Sequence, residues 1–399
     1  MNFYDLLKAR AETFADKIFL RVDNETFTYK NFLAAVDKVS EKFKTSRRGD
    51  ELKNFDDCGA KTVWALLKSS GGKFFSQAVN FFVTQKNSPS NVFTVTTSGS
   101  TGEPKILQRT FESWADFFPT QNRIFRVDET TKLFIHGSLN FTGNLNAFLA
   151  TMDAGGTIVT TEKFFPRRWL ELVRDVIAIY LVPTKLVLLA TGAPLENIRS
   201  IFTGSQVLTE AQSLSLLKKF PAAEIFLYYG ASELSFVTYK KISAENAGDV
   251  QNLGRPFDDV KIFIRNGLIY VDTPFHINGV ENPCTVGDAG FFDTNGDLIF
   301  LGRGDDFINR GGVKIFASAV ENKLLALEGV TAAAVVKIPD ETRGENFLAF
   351  IVGNVDRKII RQALSPAESP REIIFVAELP LNSSGKVDKK LLRLCDFSR

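Results

Sequence analysis

Apolar and polar residues alternate with two different periods along the chain, and their spacing predicts an ordered series of helices and strands. Amphipathic stretches through Lys17 and over 30–44 predict two N-terminal helices on either side of a strand pair. Between residues 91 and 237, short apolar runs such as 132–138 alternate with helix-length segments such as 209–220. Strands separated by helices favour parallel sheets that are covered by helices on their faces. We therefore predict the α/β class.

The pattern changes after about Val237, where the strands become short and are joined by turns. One of these turns is predicted at Asn295 and Gly296, since this dipeptide favours hairpins.

A chain of 399 residues exceeds the usual size of a single core, so two domains are expected. We predict a large N-terminal domain over 1–304, which includes a β-rich subdomain. A small, mobile α+β lid domain is predicted over 305–399.

Composition restricts the possible partners. Hydrophobic residues make up 44% of the chain and charged residues 24%, and the formal net charge is only +2. This balance gives no reason to expect a nucleic-acid or membrane partner, and no uninterrupted apolar stretch is long enough to span a bilayer. The N-terminal segment lacks the apolar core of a signal peptide. The three cysteines, Cys58, Cys284 and Cys395, lie far apart, which suits a reducing compartment and predicts a cytoplasmic location.

A polar loop after an apolar strand carries the first chemical signal. It runs from Thr96 to Lys105 and is rich in residues that suit phosphate binding, namely Thr97, Ser98, Gly99, Ser100, Thr101 and Gly102. Small residues let backbone N–H groups and hydroxyls converge on anionic oxygens, and the lysine adds a positive charge. The loop is not a Walker-type loop, because Lys105 follows Pro104 and no Ser or Thr comes next.

The string TSGSTGEPK over 97–105 closely resembles the phosphate-loop signature of the adenylate-forming superfamily, which comprises acyl-CoA synthetases, adenylation domains and luciferases. Four further segments resemble the signatures of this family, and they occur in the family's order. They are YYGASE at 228–233, the stretch 286–306, RGGVKIFASAVEN at 310–322 and LPLNSSGKVDKKLLR at 379–393. The resemblance therefore covers most of the chain and implies the family's fold, with ATP, Mg²⁺ and coenzyme A as the expected cofactors.

The resemblance implies roles for residues of the nucleotide site. Tyr229 is expected to pack against adenine and Ser232 to contact the α-phosphate. Glu233 is expected to bind magnesium, for which a carboxylate is a suitable hard ligand. Asp288 matches the aspartate that accepts the ribose hydroxyls, and Arg303 matches the arginine near the ribose and phosphate.

Further roles fall on the C-terminal part of the chain. Asp305 and Asp306 match the family's hinge between domains, and Gly311 and Gly312 lie where the acceptor thiol passes. Lys386 occupies the position of the catalytic lysine, which neutralises charge that develops at the attacked α-phosphate.

The chain departs from the family's pattern in the acyl pocket and in the segment before the phosphate loop. By resemblance the pocket residues are Asn140, Phe141, Gly204, Ser205 and Gly230, and Phe141 favours an apolar acyl or aryl group. His136 is interpreted as structural and His276 as a surface histidine. The segment before the phosphate loop is shorter than in relatives, which predicts that one sheet of the large domain is trimmed.

These features predict an AMP-forming ligase that activates a small carboxylic acid with Mg-ATP and transfers the acyl group to coenzyme A. The compact length is similar to that of o-succinylbenzoate–CoA ligases and of small acyl- or aryl-acid ligases. Two alternatives stay open. The acceptor could be the phosphopantetheine of a carrier protein, or the chain could be a non-catalytic nucleotide-binding descendant of the fold.

Overall fold

The computed structural model describes residues 1–46, 72–88, 90–97, 105–304, 307–380 and 387–394. Several residues with predicted roles lie outside this described part of the chain: Ser98, Gly99, Ser100, Thr101, Gly102, Asp305, Asp306 and Lys386. Their roles, like the domain boundary at 304, therefore stay predictions.

The largest sheet has nine strands among the described residues. Their order across the sheet is β11 (Arg255–Pro256), β10 (Ser235–Ile242), β9 (Glu224–Ala231), β8 (Ser200–Gly204), β7 (Ala178–Tyr180), β5 (Lys132–Ile135), β6 (Thr157–Thr160), β1 (Ile18–Val22) and β2 (Glu25–Thr28). The strands from β9 to β1 are parallel, whereas β10, β11 and β2 are antiparallel to their neighbours. The predicted α/β class with parallel strands is confirmed.

Helices cover both faces of this sheet. One group comprises α1 (Phe3–Thr13), α2 (Tyr29–Ser46), α3 (Gly72–Asn87), α4 (Glu112–Ala115), α5 (Phe118–Phe125) and α6 (Thr142–Asp153). The other group comprises α7 (Pro166–Leu172), α8 (Pro183–Leu186) and α9 (Glu210–Lys219). Alternate strand residues point to opposite faces, so Leu133 and Ile135 join the first core and Phe134 joins the second. The sheet is therefore buried on both faces, as a parallel sheet requires.

Two smaller sheets follow. An antiparallel sheet is formed by β12 (Lys261–Arg265), β13 (Leu268–Asp272), β14 (Asp288–Phe292) and β15 (Leu298–Arg303). The C-terminal sheet contains β16 (Phe307–Arg310), β17 (Val313–Phe316), β18 (Val330–Asp340), β19 (Gly344–Gly353) and β20 (Glu372–Phe375), with helices α10 (Ala317–Leu325), α11 (Arg357–Ala363) and α12 (Lys389–Leu394). Separate cores on this sheet, one of them against α10 and α11, match the predicted α+β unit.

An antiparallel ribbon pairs β3 (Val92–Thr97) with β4 (Lys105–Thr110). Thr97 lies opposite Lys105, so the two ends of the predicted phosphate loop meet at one end of the ribbon. Within the part of the chain that is described, no helix has the length and apolar character needed to cross a membrane.

Candidate active site

The predicted nucleotide residues converge beyond the carboxyl end of β9. In open α/β sheets, ligands bind outside the carboxyl ends of the parallel strands, so this position suits a ligand site. β9 carries Tyr229 near its end, and the turn into β10 carries Ser232 and Glu233. Residues from two distant segments, Asp288 and Thr142, contact this strand end and its turn.

Tyr229, Asp288 and Arg303 form one connected group. Asp288 and Arg303 are directly opposite each other on β14 and β15, and the Arg303 Nε atom lies 3.0 Å from the Asp288 Oδ1 atom. The Tyr229 hydroxyl donates to the Asp288 Oδ2 atom at 2.6 Å. Burial, together with the Asp288 carboxylate, raises the pKa of Tyr229 well above its usual value, so the phenol remains a donor at neutral pH. The Asp288 side chain is only 7% exposed, which fixes its orientation.

An ionised carboxylate offers about four acceptor sites on its two oxygens, so Asp288 can accept hydrogen bonds in addition to the one from Tyr229 and the ion pair with Arg303. This capacity fits the two ribose hydroxyls that the resemblance assigns to it. The Arg303 side chain donates to the Val286 carbonyl and is 57% exposed, so its positive charge lies at the edge of the Tyr229–Asp288–Arg303 group, in contact with solvent.

The turn after β9 connects the nucleotide residues to the pocket residues. The Ser232 hydroxyl donates to the Thr142 hydroxyl at 3.2 Å, and the Thr142 hydroxyl donates to the Thr96 carbonyl at 3.0 Å. In return the Thr96 hydroxyl donates to the Asn140 carbonyl at 2.8 Å. This chain of contacts joins the strand that precedes the phosphate loop to the residue expected at the α-phosphate. The structure thereby brings Ser232, Asn140 and the start of the loop together.

Glu233 is half-buried in the same turn, and its backbone carbonyl accepts a hydrogen bond from the Ile277 N–H at 2.9 Å. Its carboxylate contributes to raising the pKa of the nearby Cys284 thiol, after the larger effect of burial. Among the described residues, no group of three or more His, Cys, Asp or Glu side chains could hold a metal ion. Magnesium is commonly held by one or two carboxylates together with substrate phosphates. Glu233 therefore fits a magnesium ion that arrives with ATP.

Arg109 also belongs to the site, although the sequence did not indicate it. It lies on β4, and its guanidinium donates to the Ser232 carbonyl at 2.5 Å and to the Ser235 hydroxyl at 2.5 Å. The side chain is fully buried. An arginine in a short polar strand is usually exposed, so the sequence carried no signal of this position.

The predicted pocket residues lie around two buried tyrosines. The Tyr180 and Tyr228 hydroxyls are 3.0 Å apart, and Tyr180 is fully buried. A Cβ atom on Gly204 would lie 2.6 Å from the Tyr228 ring, and one on Gly143 would overlap the Tyr180 hydroxyl. Ser205 has a φ of +69° and hydrogen bonds to Tyr228. Gly143 and Gly204 therefore leave the space that the neighbouring tyrosine side chains occupy.

The other predicted pocket residues occupy neighbouring positions. Phe141 immediately precedes α6 and forms an isolated parallel bridge with Thr96. A Cβ atom on Gly230 would overlap the Ser235 carbonyl oxygen, so this glycine permits the close pairing of β9 and β10.

Gly311 and Gly312 connect β16 to β17 and have φ values of +60° and +89°. A hairpin turn with two positive φ angles strongly favours glycine. The Gly311 N–H donates to the carbonyl of Arg343, the residue immediately before β19, which ties the turn to the start of that strand.

His136 is nearly buried, and its ring centre lies 4.3 Å from that of Trp169. The Lys185 ammonium donates to the His136 carbonyl at 3.1 Å. Burial, assisted by the Lys185 charge, lowers the pKa of His136 to about 4. This packing favours the structural interpretation. His276, in contrast, is half-buried and lies beside Ile277, whose N–H binds the Glu233 carbonyl, so it is only partly at the surface.

The lowered pKa of His136 predicts a pH dependence of stability. In the unfolded chain the histidine takes up a proton near pH 6.5, whereas in the native state it does so only near pH 4. The free energy of unfolding should therefore fall by about 3 kcal/mol as the pH drops through this window. Replacing His136 with Gln removes this contribution, so the stability of the variant should depend less on pH. Denaturant titrations at neutral pH and within the window measure the difference, and equal pH dependence in both proteins would contradict it.

Two family models match the chain. One is described as an AMP-binding enzyme and matches residues 47–272, and the other is described as the C-terminal domain of AMP-binding enzymes and matches residues 319–386. The chain is 34% identical over 322 residues to YhfT, an uncharacterized acyl–CoA ligase of Bacillus subtilis. The aligned region covers 74% of this chain and 67% of YhfT. This chain is also 25% identical over 320 residues to the 2-succinylbenzoate–CoA ligase of Lactococcus lactis, and that alignment covers 74% of this chain and 69% of the ligase.

A similar solved structure is the o-succinylbenzoate CoA synthetase of Bacillus subtilis in complex with an acyl-adenylate intermediate. It superposes with a TM-score of 0.78 at 22% identity, over 98% of each chain. At this identity the likeness establishes the fold alone.

Proposed function

Since this chain belongs to the family of AMP-binding enzymes, we propose that its ATP site is the group of residues beyond the carboxyl end of β9. The chain is an AMP-forming acid–thiol ligase of the acyl-CoA synthetase type, and it uses ATP, Mg²⁺ and coenzyme A. In such a reaction a carboxylate attacks the α-phosphate of ATP and pyrophosphate leaves. AMP is then a far better leaving group than a carboxylate oxygen when the thiol attacks.

One observation carries the assignment of the site. The Tyr229 hydroxyl, the Asp288 carboxylate and the Arg303 guanidinium are connected side by side. The adjacent turn is joined through Ser232 and Thr142 to the strand that precedes the phosphate loop. A single ligand with a ribose at one end and phosphates at the other matches this order of groups. The nucleoside therefore lies against Asp288 and the phosphates lie towards Ser232.

Each residue then has one task. Asp288 binds the ribose hydroxyls and Arg303 supplies positive charge at the edge of the site. Glu233 holds the magnesium ion, which supplies positive charge to the phosphates. Lys105 adds charge at the exposed end of β4, where it pairs with Thr97 beside the phosphate loop.

Lys386 has its task by resemblance. It neutralises charge that develops on the α-phosphate during adenylation. We propose that the unit over 305–399 then rotates relative to 1–304, which removes Lys386 and admits the acceptor thiol past Gly311 and Gly312. Such a rotation lets one site serve two different transition states.

The acid is an apolar acyl or aryl acid. The support for this class is Phe141, whose half-buried ring lies beside Gly143 at the start of α6, close to the hydroxyl of the buried Tyr180. Asn140, Gly204, Ser205 and Gly230 complete the proposed pocket. We further propose a cytoplasmic location, because ATP and coenzyme A are cytoplasmic reagents and the half-buried Cys284 is a free thiol, as reducing compartments favour.

Hydroxylamine trapping over a panel of carboxylic acids tests this function, because hydroxylamine converts acyl-adenylates into stable hydroxamates. We expect hydroxamate with apolar acyl or aryl acids, in an amount that depends on both ATP and Mg²⁺. Pyrophosphate exchange into ATP, driven by the same acids, provides an independent measure. Failure of every acid in both assays would contradict the proposal and favour a non-catalytic nucleotide-binding protein.

The acceptor is tested separately. Thioester formed with coenzyme A alone would exclude a strict requirement for a carrier protein. Adenylation that proceeds normally but yields thioester only with a phosphopantetheinylated carrier would identify the carrier as the acceptor.

A further inference from the structure

Arg109 is a fully buried charged side chain whose burial the proposed chemistry does not yet explain. Burying a charge is costly unless it is extensively hydrogen-bonded. The guanidinium meets this condition through four acceptors, which are the Ser113 hydroxyl, the Ser232 carbonyl, the Ser235 hydroxyl and the Phe275 carbonyl. Its face also lies 5.4 Å from the centre of the Trp114 ring.

None of these acceptors is a carboxylate, and no ion pair of Arg109 occurs among the residues that the structure describes. Burial lowers the pKa of Arg109 to about 9, against the smaller, opposite effect of the Glu233 carboxylate. The guanidinium is therefore still a cation at neutral pH. The sequence suggests a solvated arginine at this position. The structure instead has a buried cation bound to the turn that carries Glu233.

Arg109 forms hydrogen bonds to residues on both sides of Glu233. On one side the guanidinium binds the Ser232 carbonyl, and on the other it binds the hydroxyl of Ser235. Ser235 has a φ of +64°, a left-handed conformation that is unfavourable for a residue other than glycine. The Ser235 hydroxyl also donates to the Phe275 carbonyl, which Arg109 binds as well.

The segment that follows Phe275 completes this support. The Ile277 N–H donates to the Glu233 carbonyl, and the Asn278 N–H donates to the Gln108 carbonyl, both at 2.9 Å. Arg109 thus lies where β4, the Glu233 turn and the 275–278 segment meet.

We propose that Arg109 is a positioning residue that holds the turn over 231–235 so that the Glu233 carboxylate is presented to magnesium. The inference rests on the proposed role of Glu233 as the magnesium ligand. On this proposal β4 contributes two residues to the site. Lys105 supplies charge beside the phosphate loop, and Arg109 orients the residue that binds the metal.

The experiment measures how strongly magnesium promotes ATP binding. ATP dissociation constants are determined by calorimetry with excess MgCl₂ and with EDTA, and the dissociation constant in EDTA divided by that in MgCl₂ is the magnesium effect. Replacing Arg109 with Met should lower this ratio by about tenfold, the equivalent of one charged hydrogen bond, and should leave the affinity in EDTA nearly unchanged. A merely structural role would lower the thermal stability without changing the ratio.

Two further variants keep the test decisive. Arg109→Lys retains a buried cation but loses the fork of donors, so it should lower the ratio even if Arg109→Met folds poorly. Adding Ser235→Gly to Arg109→Met should restore part of the ratio, because glycine adopts a positive φ without the help of the guanidinium.

The matched control is Lys240→Met. Lys240 lies on β10, is also nearly buried and donates to a backbone carbonyl, that of Asp249, at 2.5 Å. Its replacement removes a buried cation from the same sheet and should not change the magnesium effect.

Glu233→Gln separates the inference from the function on which it rests. If Glu233→Gln leaves the ratio unchanged, Glu233 is not the magnesium ligand, and both its proposed task and the role of Arg109 are overturned. If Glu233→Gln lowers the ratio but neither Arg109 variant does, the role of Arg109 is overturned while the proposed function stands.

Discussion

Replacing Lys386 with Ala should reduce adenylation by about 10²- to 10³-fold, the loss typical of removing one group that stabilises transition-state charge. The affinity for ATP should change little, because the lysine is proposed to act on charge that develops only during the reaction. Interactions that form only in the transition state lower the rate without weakening substrate binding. Hydroxamate formation measures the first quantity and calorimetry with Mg-ATP measures the second.

The proposed rotation adds a sharper expectation for the same variant. If Lys386 leaves the site before the thiol attacks, transfer from a synthetic acyl-adenylate to coenzyme A should proceed at nearly the wild-type rate. The matched control is Lys390→Ala, since Lys390 is exposed on α12 four residues further on and should affect neither half-reaction. Equal losses in both half-reactions would argue against the rotation. If the Lys386→Ala variant adenylates the acid at the wild-type rate, Lys386 does not stabilise the transition state of adenylation.

Local patterns were sufficient to predict most of the elements. The alternation of apolar runs with helix-length segments predicted the parallel strands, because such strands are buried on both faces and read as continuous apolar stretches. Gly296 has a φ of +81° in the predicted turn between β14 and β15, where a side chain would be unfavourable. In both cases the cause lies within a few residues of the sequence.

Contacts between distant segments could not be predicted in this way. β4 was missed because its sequence, KILQRT, contains only two apolar residues, and its pairing partner lies on the far side of the polar loop. The large sheet also continues to Pro256, beyond the change expected after Val237, because β10 and β11 are added as antiparallel strands. The acceptors of Arg109 come from residues 113, 232, 235 and 275, and no local pattern brings them together.

The second large effect is expected for Asp288→Ala, which should weaken ATP binding by about 10- to 100-fold. The substitution removes the proposed acceptor of the ribose hydroxyls, and hydrogen bonds to a charged group contribute about 1.5–3 kcal/mol each. It also deprives the Tyr229 hydroxyl of its partner and frees the Arg303 side chain. Since Arg303 is more than half exposed, water can solvate it, so the loss of stability should be smaller than the loss of affinity.

Two comparisons separate the ribose contact from the loss of the local network. Tyr229→Phe removes only the hydroxyl that donates to Asp288, so it should weaken ATP binding less than Asp288→Ala does. The affinity for inorganic pyrophosphate, which has no ribose, should be nearly the same in Asp288→Ala and the wild type. If calorimetry finds the same ATP dissociation constant in Asp288→Ala and the wild type, Asp288 does not hold the ribose. In that case the connected group of Tyr229, Asp288 and Arg303 serves to join β9 to the β14–β15 pair rather than to bind the nucleotide.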